Sequence, residues 1–197
     1  RPERLRRLLL LIDVSGSLKT HSETFLKAAH ALSHAGFPAE TFTFGTRLTR
    51  VTAALRHRDP VEALARLSAV IEDIDGGPRI GPSLAALVAE PRHQALIRGA
   101  VTVVVSDGLE RGDPEEMTRA VTRLARMSRR LLWLTPLAAR PDYVPATRAM
   151  RAVAPSIDLL DDAGSLAAFV DAFAALPPLA RAPRGRACRA RALGARP

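Results

Sequence analysis

Residues 8–18 read LLLLIDVSGSL: five apolar residues run directly into Asp13-Val14-Ser15-Gly16-Ser17. An unbroken apolar run of this length is what a parallel strand covered on both faces requires, because both sets of alternating side chains meet protein interior. The run ends at one carboxylate and two hydroxyls placed at alternate positions. Hard oxygen donors on the turn that leaves a buried strand point to a cation, a phosphate or a nucleophile.

Working outward, the same device returns. GAVTVVVSDG (99–108) is a second buried strand that ends at an aspartate, Asp107, and RRLLWLTP (129–136) is a third. Between them the apolar spacing is helical. Phe25, Ala28, Ala29 and Leu32 define a helix over 20–35, with Gly36 placed for its C-cap. AETFTFGT (39–46) and RLTRVT (47–52) read as a hairpin. In RDPVEAL (58–64) Asp59 suits the N-cap, Pro60 the first helical position and Glu62 a capping box, with Val61, Leu64, Leu67 and Ile71 as the buried stripe. A glycine-rich break leads to a helix at PSLAALVAE (82–90). Asp113, Pro114 and Glu116 repeat the capping device, which makes a start of helix the better reading of the RGD at 111–113 than an adhesion motif. A short helix at 145–153, a last strand at 156–161 and a closing helix at 165–176 complete the chain. Strands alternating with helices imply an α/β fold: a doubly wound, mostly parallel sheet with helices on both faces and one short antiparallel edge strand. Ligands of such sheets bind beyond the carboxyl ends of the strands, where Asp13 and Asp107 both lie.

At 197 residues, 47% of them hydrophobic and 25% charged, the chain has the size and composition of one globular domain. The expected divisions are a basic extension at 1–7, a folded body at 8–176, and an Arg/Ala/Pro-rich tail at 177–197 that reads as a disordered, solvated extension. The net charge of +9 belongs to the two ends, since the six arginines of 181–197 and the four of 1–7 account for it. The body itself is neutral, which argues against specific nucleic-acid binding. No apolar run is long enough to span a bilayer. The lone cysteine excludes an internal disulfide and a thiolate cluster, and fits a reducing, cytoplasmic setting.

Of the three chemistries, phosphate cradling is disfavoured. Asp13 would repel a pyrophosphate, the glycines do not have the fingerprint spacing, and no GKS or GKT loop occurs. A phosphotransferase or phosphatase using Asp13 as nucleophile is the alternative enzymatic reading, but it needs a second acid two residues later, where Ser15 stands. DVSGS is not a nucleophile elbow. His30 and His34, one turn apart, lack the glutamate of a zinc motif and read as a polar helix face. What remains is a cation: Asp13, Ser15 and Ser17, with Asp107 from a neighbouring strand end, form a hard oxygen set that suits Mg²⁺.

These residues resemble a von Willebrand factor A domain. DVSGSL matches the DxSxS loop of that family's metal-ion-dependent adhesion site, and VVVSDG matches the strand bearing its distal aspartate. TFTFGTRLTRVTAALRHRDP, GGPRIGPSLAAL and SDGLERGDPEEM resemble the bacterial CoxE-like branch. The resemblance covers about residues 8–175. It implies Mg²⁺ or another divalent ion on Asp13, Ser15, Ser17 and Asp107, and a non-enzymatic protein-recognition module. It also implies, as partners, a MoxR-type AAA+ ATPase and a metalloenzyme client of the carbon monoxide dehydrogenase type, whose metal centre is matured. One position departs: the family's second-loop threonine is Pro78 here, which has no hydroxyl to offer. Ser83, Ser106 and Asp75 are the neighbouring oxygens able to compensate through water. A weakened ion site and a scaffold with no ion are both compatible with that departure.

Overall fold

The computed structural model describes residues 7–35, 38–71, 79–140, 142–174 and 189–190. The strands are β1 (Leu8–Asp13), β2 (Ala39–Phe44), β3 (Leu48–Arg50), β4 (Val101–Val105), β5 (Arg130–Thr135), β6 (Leu159–Asp162) and β7 (Arg189–Ala190). The α-helices are α1 (Lys19–His34), α2 (Thr52–Leu55), α3 (Pro60–Val70), α4 (Ile80–Ala89), α5 (Pro91–Ile97), α6 (Pro114–Met127), α7 (Arg148–Val153) and α8 (Leu166–Ala174). They form one sheet in the order β3-β2-β1-β4-β5-β6-β7, parallel throughout except where β3 runs antiparallel to β2 at the edge. This is the doubly wound α/β architecture expected from the sequence.

From β1, an interior strand of the sheet, the chain winds outward to β2 and β3, then returns to lay β4 along the other side of β1. Between β1 and β4 the winding therefore changes direction, which opens a crevice at their carboxyl ends. β1 explains why its sequence had to be apolar at every position. Leu8, Leu10 and Ile12 enter the core that includes Phe25 of α1, Leu67 of α3 and Phe169 of α8. Leu9 and Leu11 enter the core on the other face, with Leu84 of α4, Met117 of α6, Trp133 of β5 and Val153 of α7. Each fully buried leucine contributes roughly 1.5–3 kcal/mol, so β1 anchors both layers at once.

Several local expectations need correction. Val61 is 76% exposed rather than part of the α3 stripe. It sits in the first turn behind Pro60, and the buried face of α3 is carried by Ala63 and Leu67. Asp59 does cap, accepting from the Val61 N–H at 2.8 Å, but the Glu62 carboxylate accepts from Arg66 along the helix. The strand expected at 47–52 stops at Arg50, because Thr52 begins α2 and its hydroxyl accepts the Thr41 N–H instead of continuing the ladder. α5 was not foreseen. Its start repeats the acid-proline device, with Glu90 as cap and Pro91 first.

Gly36 lies outside the described residues, as does most of 177–197. Within that tail, the backbone of Arg189–Ala190 pairs in parallel with Leu159–Leu160. Of the basic N-terminal extension only Arg7 is described, and its guanidinium donates to the Ala95 carbonyl at 2.8 Å. Among the described residues no helix is long and apolar enough to cross a membrane.

Candidate metal centre

Asp13 is the last residue of β1, and the loop that follows is tight. The Ser15 N–H donates to Asp13 Oδ1 at 2.9 Å, the turn aspartate forms with the second residue after it. The Leu18 N–H then donates to the Ser15 carbonyl, closing a single 3-10 turn (Gly16–Leu18) that enters α1. This folds the alternate residues Ser15 and Ser17 to one side, and their hydroxyl oxygens stand 3.3 Å apart. The Val14 N–H is tied to the Phe44 carbonyl of β2, which fixes the loop to the sheet.

The β4 end is built in the same way. The Leu109 N–H donates to Asp107 Oδ1 at 3.0 Å, and Gly108 has φ +73°, a conformation only glycine adopts cheaply. Its missing Cβ also leaves room for Met150 of α7, whose side chain would lie 2.4 Å from a Cβ there. Ser106 joins the two strand ends. Its hydroxyl donates to Asp13 Oδ2 at 2.7 Å and accepts the Gly108 N–H at 3.1 Å. Its carbonyl accepts the indole N–H of Trp133, the single tryptophan of the chain, at 3.0 Å.

Asp13, Ser15 and Ser106 are wholly buried, Asp107 is 5% exposed, and Ser17 opens to solvent. Burial pushes the Asp13 carboxyl up to about 6. Hydrogen bonds from Ser15 and Ser106 oppose the rise, and the nearby Asp107 charge adds to it. Among the described residues no lysine, arginine or histidine pairs with Asp13 or Asp107. Two acids thus share a buried crevice with no described counter-charge, the arrangement a cation relieves.

The donor set fits a hard dication. Neighbouring ligands of an octahedral Mg²⁺ lie about 3 Å apart at its 2.0–2.1 Å bond lengths, close to the Ser15–Ser17 separation. Each Asp13 oxygen already accepts one hydrogen bond, which orients the carboxylate while leaving lone pairs on both oxygens. Asp107 has one oxygen bonded within its own turn and a second to offer. Among the described residues no group of three or more His, Cys, Asp or Glu side chains could hold a metal, so hydroxyl and water oxygens have to complete any ion's shell.

Asp13, Ser15, Ser17 and Asp107 all lie just at or beyond the carboxyl ends of the adjacent strands β1 and β4, with Ser106 bridging the two. The second loop is different: Asp75 and Pro78 lie outside the described residues. Ser83, in α4, is 3% exposed and its hydroxyl has no described hydrogen-bond partner. Ser106 was undervalued. Weighed only as a water-mediated substitute, it holds Asp13 directly, and the signal was present in its place between a buried strand and the distal aspartate. The RGD aspartate, Asp113, caps α6 by accepting the Glu115 N–H at 2.9 Å. His34, exposed, donates from Nδ1 to the His30 carbonyl and fits the polar helix face expected of it, whereas His30 is buried and its Nε2 donates to the His57 carbonyl beyond α2, tying α1 to the segment before α3.

A parallel sheet that reverses its winding between two acid-ended strands, with a DxSxS loop on the first, defines a domain of the von Willebrand factor A class. Solved structures share the fold. A von Willebrand factor type A protein from Catenulispora acidiphila superposes with a TM-score of 0.62 at 14% identity, over 89% of this chain and 42% of that one. Proximal thread matrix protein 1 from the mussel byssus, with zinc occupying its MIDAS motif, gives 0.57 at 15% identity, over 91% and 47%. The pilus adhesin SpaC of Lactobacillus rhamnosus GG gives 0.53 at 14%, over 92% and 30%. The chain spans less than half the length of each. No curated protein matches the sequence significantly. The model of the family described as VWA domain containing CoxE-like protein matches residues 1–169, and the chain belongs to that family.

Proposed function

We propose that the chain is a non-enzymatic recognition module that holds Mg²⁺, or a similar divalent cation, on Ser15, Ser17, Asp107 and Asp13, and uses it to capture an acidic side chain of a protein partner. The observation that carries this reading is the meeting of two buried carboxylates, from adjacent strands, with two hydroxyls 3.3 Å apart and no described counter-charge. A bound dication supplies a coordination position for an incoming carboxylate. Ser17 is the ligand nearest solvent, and neutral hydroxyl ligands leave the ion more of its charge than a cage of carboxylates would. Asp13 and Ser106 orient the loop that presents Ser15 and Ser17. The neighbour with zinc in its MIDAS motif supports ion binding at this position of the fold. The CoxE-like membership supports a MoxR-type AAA+ ATPase as partner and a metalloenzyme as client. The position of Ser15, where an aspartyl phosphotransferase needs its second acid, weighs against an enzyme.

Calorimetry with MgCl₂ on wild type and Ser17→Ala tests the ion. Ser17 is exposed, so the variant should keep the thermal stability of wild type within about 0.5 kcal/mol while binding Mg²⁺ at least tenfold more weakly. Pull-down of the ATPase should then depend on Mg²⁺ and be abolished by chelator. Identical capture with metal and with chelator would remove the metal bridge from the reading.

A further inference from the structure

Glu110 lies three residues beyond Asp107, outside the motifs that mark the site, and its carboxylate is spread between two loops. Oε2 accepts the N–H of Gly81, in the first turn of α4, at 2.6 Å. Oε1 accepts the N–H of Gly112, in its own loop, at 2.5 Å. At Gly81 the glycine has a steric reason, because a Cβ there would meet backbone. A Cβ on Gly112 would stand 2.9 Å from Glu110 Oε1. A Cβ on Gly81 would stand 3.3 Å from Oε2 and 2.9 Å from the Met117 backbone of α6. The carboxylate thus joins the first turn of α4 to the Asp107 loop, and Gly81 itself packs against the start of α6. On its other side the turn entering α4 is fixed as well, since the Arg79 N–H donates to the Gly45 carbonyl just beyond β2.

We infer that Glu110 is a positioning residue for the ion site. By capping α4 from the neighbouring loop, it holds the first turn of α4 in register with the Asp107 loop. Without it, the Gly81 N–H loses a charged acceptor, and the Asp107 loop loses its described tie to α4. A charged acceptor on a helix N-terminal N–H is favoured both as a strong hydrogen bond and by the helix dipole. The inference rests on the metal-site reading, and the experiment separates the two.

Wild type, Glu110→Gln and Glu110→Ala are compared by Mg²⁺ calorimetry well below their melting temperatures and by amide hydrogen exchange in chelator. Gln keeps the length of the side chain and one acceptor oxygen, so it should retain part of the clamp. The expected Mg²⁺ affinity falls in the order wild type, Gln, Ala, with Ala at least about tenfold weaker, ~1.4 kcal/mol. The Gly81 and Gly112 amides should exchange faster in the same order. Unchanged affinity in Glu110→Ala overturns the positioning role, even if its exchange is faster. If wild type takes up no Mg²⁺, the metal-site reading fails by itself. Unchanged exchange at Gly81 and Gly112 would then overturn the clamp independently.

Discussion

The charge on Asp13 should cost the metal-free protein stability, and Asp13→Asn should recover it. In the fold the carboxyl is raised from 3.8 to about 6, chiefly by burial. At 1.36 kcal/mol per unit this is roughly 3 kcal/mol. For an acid whose pKa is raised on folding, the favourable contribution is full below the unfolded value near 4 and is lost as pH rises through about 6. Above that pH the native state carries a buried, uncompensated charge. Asparagine keeps the shape. Its amide oxygen can accept the Ser15 N–H, and its NH₂ can face the Ser106 hydroxyl, which is able to accept as well as donate. In chelator at pH 7.5, Asp13→Asn should therefore be more stable than wild type by up to about 3 kcal/mol, with the difference vanishing near pH 4. Urea unfolding followed by the fluorescence of Trp133, whose indole is bonded to Ser106 beside the site, measures both. Saturating Mg²⁺ should stabilise wild type and not the variant. A wild type as stable as Asp13→Asn at pH 7.5 in chelator would refute the reasoning, because it would mean the carboxylate is already compensated without an ion.

Three other outcomes follow from the same geometry. Trp133→Phe removes the only indole donor to the buried Ser106 carbonyl and should cost about 1–3 kcal/mol by thermal unfolding, with weaker Mg²⁺ binding as Ser106 loosens its hold on Asp13. Gly108→Ala puts a Cβ into Met150 at φ +73° and should cost about 2–4 kcal/mol by urea unfolding; a loss under 1 kcal/mol would mean that α7 yields there. Pro78→Thr restores the hydroxyl that the resemblance places in the second loop, and should raise Mg²⁺ affinity in calorimetry. No gain would mean that the loop does not reach the ion.

The fold was legible because its signals are local. β1, β4 and β5 are buried on both faces, so their sequences are apolar at almost every position, and acid-proline pairs mark the starts of α3 and α6. The four candidate ligands were picked out for the same reason, since each ends or follows one of these buried strands. Val61 was misplaced because helical spacing does not reveal that the first turn of α3 lies clear of the core. α5 was missed because seven residues carry too little periodicity to stand out.

By itself the sequence determined which strands are buried, which residues carry oxygen donors, and that those donors emerge at the ends of strands. Only the tertiary structure decided how they meet. Strand order is a matter of long-range pairing, and it is the parallel pairing of β4 with β1, which sets Ile12 opposite Val105, that brings Ser106 against Asp13 and buries the Asp13 carboxyl, with Asp107 nearby.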